Sequence, residues 1–305
     1  MKKLSKALFS KIDSYMNSEA RPLERTIFNY YFNASSADDI LDSLEPFQNS
    51  DGGFGNGLEP DFKLMQSSPM ATSIGLRHLC KIDNSDRAQS MIAAAIKYLE
   101  TSFNYDRNGW YSLPSNDNNY PHAAWWDFRE DINMTVIDYS FGNPTAELIG
   151  YLYKYKKYLN NLDIYALITH AITNLNNRTE FSSEHEIFCY IRMYNTLDKE
   201  FSGQIENKLK LAVSQLVNVN QPEWTNYVPS PLRFIYKESN NFFNIDDEFI
   251  DFNLDYLLDK LEVEGKIFPT WQWGTFPAEW DIAKSEWMGI LTLEGLLSLM
   301  KFNRI

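Results

Sequence analysis

The stretch QNSDGGFG, residues 48–55, decides the fold of this chain. Its glycines, Gly52, Gly53 and Gly55, take positive φ without steric cost. Asp51 can accept hydrogen bonds from the backbone amides that follow it, and Phe54, the one large apolar residue of the stretch, can point inward as a plug. The pattern predicts an ordered turn between two helices.

Helical periodicity surrounds this turn on both sides. Ser36, followed by two aspartates, is a typical N-cap for the helix that leads into the turn. Ser68 and Pro69 are a typical N-cap and first residue for the helix that follows. Further apolar stripes at helical spacing lie at 4–15, 23–31, 91–99 and 146–155, and at 287–297 after an N-cap at Ser285. Only 224–235, between prolines, is expected to hold short extended pieces, so the predicted class is all-α.

The order of helix end, glycine turn and new helix start recurs in weaker form. The helix end at Tyr98-Leu99 is followed by Gly109 and Trp110, and the apolar run 256–258 is followed by Gly265. Such repetition is typical of proteins built from helix pairs.

The motif at 48–55, with NGLEPD at 56–61 and SSP at 67–69, resembles the repeat motif of the terpenoid cyclase and protein prenyltransferase superfamily. It is most similar to a bacterial branch of prenyltransferase-like and squalene-cyclase-like proteins. The resemblance implies an α/α toroid, a ring of about five to six helix pairs with long loops at one end. It also implies that Gln48 and Phe54 connect neighbouring helix pairs.

Residues on which the family's reactions depend are missing from this chain. Squalene-hopene-type cyclases protonate an alkene with an Asp-x-Asp-Asp acid, and no such tetrapeptide is present. Protein prenyltransferases hold zinc through Asp, Cys and His, whereas Cys80, beside Arg77 and His78, lies in an apolar helix without a recognisable Asp partner. The sequence therefore predicts no metal site. It names no cofactor, because nucleotide-loop and serine-nucleophile motifs are missing too.

Composition limits the partners. A formal net charge of -13 disfavours nucleic acid. No apolar run is long enough to span a bilayer, and no apolar core follows Lys2 and Lys3 as in a signal peptide. The two cysteines, Cys80 and Cys189, lie in apolar stretches and are expected to be buried thiols, which fits a cytoplasmic location. No linker divides the chain, so a single domain over residues 1–305 is expected.

The segment PHAAWWD, residues 121–127, is the best candidate for a binding loop. Trp125 and Trp126 can stack on a sugar ring or face a cation, and His122 can share a hydrogen bond with Asp127. The alternative is a loop anchored by one buried tryptophan with a surface His-Asp contact. A second candidate set near the last helix comprises Trp273, Glu279 and Trp280, which line a cavity if this segment is a loop and form a core stripe if it is helical.

Two further carboxylates, Glu59 and Asp61, follow the glycine turn directly. Paired across a cavity with Asp127, Glu279 or Asp281, one of them would satisfy the need of a glycosidase for two carboxylates. The alternative is that both cap the next helix or bond the amides of the turn. Glu59, Asp61 and Asp127 are thus the candidate catalytic acids.

Three functions follow as hypotheses. The first is binding, with possible transformation, of a small isoprenoid-like ligand in an aromatic and acidic central cavity. The second is a carbohydrate-active enzyme or sugar-binding protein that uses the paired carboxylates. The third is a non-catalytic scaffold or partner-binding module in which the same aromatics form packed core.

Overall fold

The computed structural model describes residues 1–114, 118–235 and 243–305. These residues are mainly helical, as the sequence predicts, and their only sheet is one short antiparallel pair, β1 (Phe128–Arg129) with β2 (Met134–Thr135). The α-helices of the described residues are α1 (Lys6–Ser18), α2 (Pro22–Phe32), α3 (Ala37–Leu44), α4 (Pro69–Leu79), α5 (Asp86–Thr101), α6 (Gly142–Lys154), α7 (Ile164–Asn176), α8 (Glu184–Thr196), α9 (Lys199–Ser202), α10 (Glu206–Leu216), α11 (Asp247–Glu264) and α12 (Pro277–Lys301).

The chain divides into two compact units. Unit 1 consists of residues 1–43 and 217–305, and unit 2 is the continuous segment 44–216. In unit 1, α1 packs against α2 and α11, while α12 packs against α2 and α11. Four helices therefore enclose the core of unit 1.

In unit 2 the helices contact one another in a regular order. Helix α6 packs against both α4 and α8, and each of these three helices also packs against a later neighbour: α4 on α5, α6 on α7 and α8 on α10. Every residue of α6 from Gly142 to Tyr153 is buried. A helix buried on all sides is the centre of its unit, so α6 holds α4 and α8 in place.

The glycine turn is ordered as expected and is hydrogen-bonded to a helix of unit 2. The Gln48 side-chain amide donates to the carbonyl of Gly52 at 2.8 Å and to that of Met91 in α5 at 2.9 Å. The Asp51 carboxylate accepts from the Gly53 amide at 3.0 Å, and Phe54 is fully buried. Gln48 thus fixes the turn to α5.

Of the three glycines at 52–55, only Gly52 has positive φ, at 92°. The sequence therefore predicts the ordered turn correctly, but positive φ accounts for only one of its three glycines. At Gly55 a Cβ atom would lie 2.3 Å from the carbonyl oxygen of Gln66, so glycine is required there for close approach of two backbones.

The start of α12 and the region 224–235 correct the sequence-based expectations. Helix α12 begins at Pro277 and not near Ser285, because Pro277 occupies the first turn, where its missing N–H costs no hydrogen bond. Residues Gln221–Thr225 and Pro231–Phe234 form short 3-10 helices instead of extended pieces. In the part of the chain that the structure describes, no helix is both long and apolar enough to cross a membrane.

Candidate functional site

Two of the predicted segments meet in unit 2 as a short antiparallel pair. The Lys63 amide donates to the Pro121 carbonyl at 2.8 Å, and the Ala123 amide donates to the Asp61 carbonyl at 2.9 Å. These bonds flank Phe62 and His122, which lie opposite each other. The residues just after the glycine turn therefore position the loop that carries both tryptophans.

His122 is buried and connects this pair to an exposed carboxylate. Its Nε2 lies 2.8 Å from Oδ1 of Asp127, and its Nδ1 contacts the carbonyl oxygen of Tyr120. Both partners are acceptors, so both hydrogen bonds form only when each ring nitrogen carries a proton. The Asp127 side chain is 54% exposed, and its Oδ2 accepts no hydrogen bond from the described residues.

The aromatic residues of the loop differ in exposure. Trp126 is buried, and its ring lies edge-to-face on Phe62 with centroids 4.9 Å apart. Trp125 is half-buried. The Tyr120 ring lies 4.7 Å from that of His122, and burial, with the charge of Asp127, raises the pKa of the Tyr120 hydroxyl to about 12. Tyr120 is therefore a neutral hydrogen-bonding group at physiological pH.

The Trp126 indole N–H is covered by protein, yet no acceptor among the described residues reaches it. A covered donor without a partner costs about 1–3 kcal/mol, so native structures contain few of them. The Trp126 N–H is therefore the one unsatisfied buried side-chain donor described in this loop.

Glu59 and Asp61 belong to the segment that pairs with this loop, just before Phe62. Oε1 of Glu59 accepts a hydrogen bond from the Asp61 amide at 3.3 Å. Asp61 is buried. A pairing of Asp61 with Asp127 at one reacting bond stays a prediction.

Trp273, Glu279 and Trp280 lie in unit 1 and form a separate group. Trp273 is buried against Trp280, with ring centroids 5.9 Å apart. Glu279, in the first turn of α12, is half-exposed. The segment is a loop up to Phe276 and a helix from Pro277. Trp273 therefore lies in the loop, and Trp280 lies in the helix.

A cluster of charged residues in unit 2 was not predicted as a site. Glu147 of α6 is 1% exposed and accepts two hydrogen bonds from Arg77 of α4, each at 2.9 Å. Arg192 of α8 lies 3.3 Å from its Oε2, and the Tyr151 hydroxyl donates to its Oε1 at 2.8 Å. The arginine partners of Glu147 lie 70 and 45 positions away in the sequence, so no short pattern points to this cluster.

The electrostatics of this cluster follow from burial and charge together. Burial alone would raise the pKa of Glu147, but the charges of Arg192 and Arg77, with the hydrogen bonds from Arg77 and Tyr151, hold it below its usual value. Burial and the charge of Glu147 raise the pKa of the nearby Cys189 thiol. Cys189 is therefore a protonated, buried thiol.

Acid is expected to weaken the contribution of Glu147 to stability. Because its pKa is lower in the folded protein than its ordinary value of about 4.3, the contribution is complete above about pH 4.3. It is lost as the pH falls through the lower, folded pKa. Urea unfolding of the native protein and of Glu147→Gln at pH 7 and at acid pH measures this loss. The difference between the two unfolding free energies should shrink in acid, and an unchanged difference would contradict the assignment.

Neither a metal nor a protein family is assigned to the described residues. Within residues 1–114, 118–235 and 243–305, no group of three or more His, Cys, Asp or Glu side chains is placed to hold a metal ion. Comparisons of the chain with protein-family models, curated proteins and solved structures found no match. The candidate site is therefore interpreted from its own geometry.

Proposed function

We propose that the chain binds a small organic ligand carrying several hydroxyl groups, of the carbohydrate type, at the loop 120–127 of unit 2. The observation that carries the proposal is the exposed carboxylate of Asp127, which is hydrogen-bonded to His122 and follows the half-buried Trp125 by two residues. A carboxylate oxygen that accepts hydroxyl hydrogen bonds and an indole face that packs on the ring carbons fit a sugar. The covered Trp126 N–H supplies a donor for a ligand oxygen once the loop adjusts.

An isoprenoid fits the same loop less well. Its hydrocarbon chain offers no partner to the Asp127 carboxylate, and covering a charged group without a partner is costly. The isoprenoid class, expected first from the resemblance at 48–69, therefore becomes the alternative. It retains support from the aromatic rings of the loop, which would face a cation equally well.

The proposal concerns binding. Hydrolysis of a glycosidic bond would require a second carboxylate opposite Asp127, and Glu59 is hydrogen-bonded to a backbone amide. Glu59 and Asp61 stay candidates for that role only if they reorient when a ligand binds.

We also infer that unit 2 is an arc of an α/α toroid, as the resemblance implies. Support comes from the order of its helix contacts, in which α4, α6 and α8 form one row and α5, α7 and α10 pack on them as a second row. An experimental structure in which α4, α6 and α8 are not parallel neighbours would contradict it.

Loss of Trp125 is expected to weaken binding. The native protein and Trp125→Ala are titrated with maltotriose, cellotriose, xylotriose and chitotriose, and the tryptophan fluorescence is followed. We expect one of these sugars to bind, and Trp125→Ala to bind it about tenfold more weakly, about 1.4 kcal/mol, because the stacking face is lost. Asp127→Asn should also weaken binding, since the loop then holds a weaker acceptor.

The matched control is Tyr105→Ala, which removes an aromatic side chain that is 75% exposed elsewhere in unit 2. Its affinity should equal that of the native protein. Binding of farnesyl diphosphate that depends on Trp125, without sugar binding, would replace the carbohydrate class by the isoprenoid class. Binding of neither ligand would favour a scaffold.

A further inference from the structure

A second surface with binding character lies in unit 1, apart from the residues of the proposed function. We call it the aromatic–lysine patch, and it consists of Tyr227, Phe268, Trp271, Lys284 and Trp287. The Trp271 ring lies edge-to-face on Tyr227 and on Trp287, with centroids 5.3 and 5.1 Å apart. Lys284 lies one turn before Trp287 on the same side of α12, and its ammonium is 6.0 Å from the centre of the Phe268 ring. The ring contacts join Tyr227, Trp271 and Trp287, and the spacing of Lys284 and Trp287 on α12 places the Lys284–Phe268 pair next to them.

Two of the patch aromatics are open to solvent, since Tyr227 is 43% exposed and Phe268 is 41% exposed. Trp271 and Trp287 are half-buried. Scattered apolar side chains at a surface are ordinary, but a contiguous group of aromatic rings is typical of a binding site. A ligand of this surface is therefore expected to contain a flat apolar ring.

The charge of the patch is unusual for this chain. Lys266 also lies near Phe268, at 5.9 Å, but it is paired with Glu19 at 3.2 Å. Lys284 is half-buried and has no carboxylate or hydrogen-bond partner in the part of the chain that the structure describes. In a protein of net charge -13, a half-buried ammonium without an acidic partner favours an anion from outside.

The Trp271 indole points to the same kind of ligand. Its Nε1 is covered by neighbouring atoms, and no acceptor among the described residues reaches it. A ligand oxygen that displaces an edge of the patch would accept from this N–H. A cationic ligand would instead be repelled by Lys284 and Lys266, and a neutral sugar would leave the Lys284 charge uncompensated.

We infer that the aromatic–lysine patch binds a small aromatic carboxylate. Its ring packs on Phe268, Trp271 and Trp287, and its carboxylate pairs with the Lys284 ammonium. The site needs neither a metal nor any residue of the loop 120–127, so it stands independently of the proposed carbohydrate site.

The test compares two probes of equal shape and different charge. The intact protein, labelled with 15N, is titrated with 2-naphthoate and with the neutral 2-naphthamide, and the indole N–H signals of the tryptophans are followed by NMR. The Trp271 signal is assigned from its absence in Trp271→Phe. We expect 2-naphthoate to shift the Trp271 signal, with an affinity about tenfold higher than that of the amide.

The variant Lys284→Met should remove this preference while retaining the apolar stem of the lysine, so both probes should then bind about equally. Lys260→Met is the matched control, because Lys260 of α11 also lies near an aromatic ring, that of Tyr256 at 5.3 Å. It should leave the preference unchanged. Equal affinities of both probes for the native protein, or no shift of the Trp271 signal by 2-naphthoate, would overturn the inference whether or not the variants fold.

Discussion

Glu147→Gln is expected to lower the free energy of unfolding by about 3 kcal/mol at pH 7. The native carboxylate is fully buried and neutralises Arg77 and Arg192, which come from two other helices. Removing one member of a buried ion pair typically costs about 3–5 kcal/mol, because the remaining charge stays where water cannot solvate it. The lower end applies here, since the Arg77 and Arg192 side chains are 29% and 19% exposed and keep some hydration. Urea unfolding followed by circular dichroism measures the change.

The control for this prediction is Glu200→Gln. Glu200 lies on α9 of the same unit and is exposed, so the same chemical change should alter the unfolding free energy by less than about 0.5 kcal/mol. If Glu147→Gln is as mild as this control, the cluster does not hold α4, α6 and α8 together.

Phe54→Ala is expected to destabilise the protein by about 4 kcal/mol. The ring is fully buried and packs on α4, where a Cβ atom added at Gly75 would lie 2.5 Å from it. Truncating a buried phenylalanine to alanine usually costs about 3–5 kcal/mol, because apolar contacts are lost and a cavity remains. Urea unfolding measures this change as well. A decrease of the unfolding free energy below about 1 kcal/mol would show that the structure of the turn does not depend on the buried Phe54 ring.

The contact between Phe54 and Gly75 predicts that the effect of Gly75→Ala on stability changes sign when Phe54 is replaced by alanine. In the native background Gly75→Ala should destabilise the protein by about 1–3 kcal/mol, because the new methyl group overlaps the ring. In the Phe54→Ala background the overlap is gone, and alanine is the better helix former by up to about 1 kcal/mol. Gly75→Ala should then be neutral or stabilising. Equal costs in the two backgrounds would contradict the packing described for this pair.

The local signals in the sequence predicted local structure well. The Ser68 hydroxyl caps α4 by accepting from the Ala71 amide, and Ser36 bonds the Asp39 amide at the start of α3. Each of these two caps depends on residues three positions apart, so short patterns are sufficient to indicate them.

Features that depend on distant partners were not predictable in this way. The pairing of 61–63 with 121–123 brings two candidate segments together, but nothing in either segment specifies the other. Strands β1 and β2 have two residues each, too few for an alternating pattern. Pro277 begins α12, but proline occurs both in loops and in the first turn of a helix, so the residue alone does not specify the helix start.

The division of the chain has a consequence for its synthesis. Unit 2 is continuous, so all its contacts become available once residue 216 has left the ribosome. Unit 1 needs its C-terminal helices, because α2 packs on α12, which ends at Lys301. At a synthesis rate of about 5–20 residues per second, roughly ten seconds or more pass between the synthesis of α1 and α2 and the completion of α12. During that interval the buried side of the first two helices, including Ile12 and Phe28, is open to chaperones or to other nascent chains.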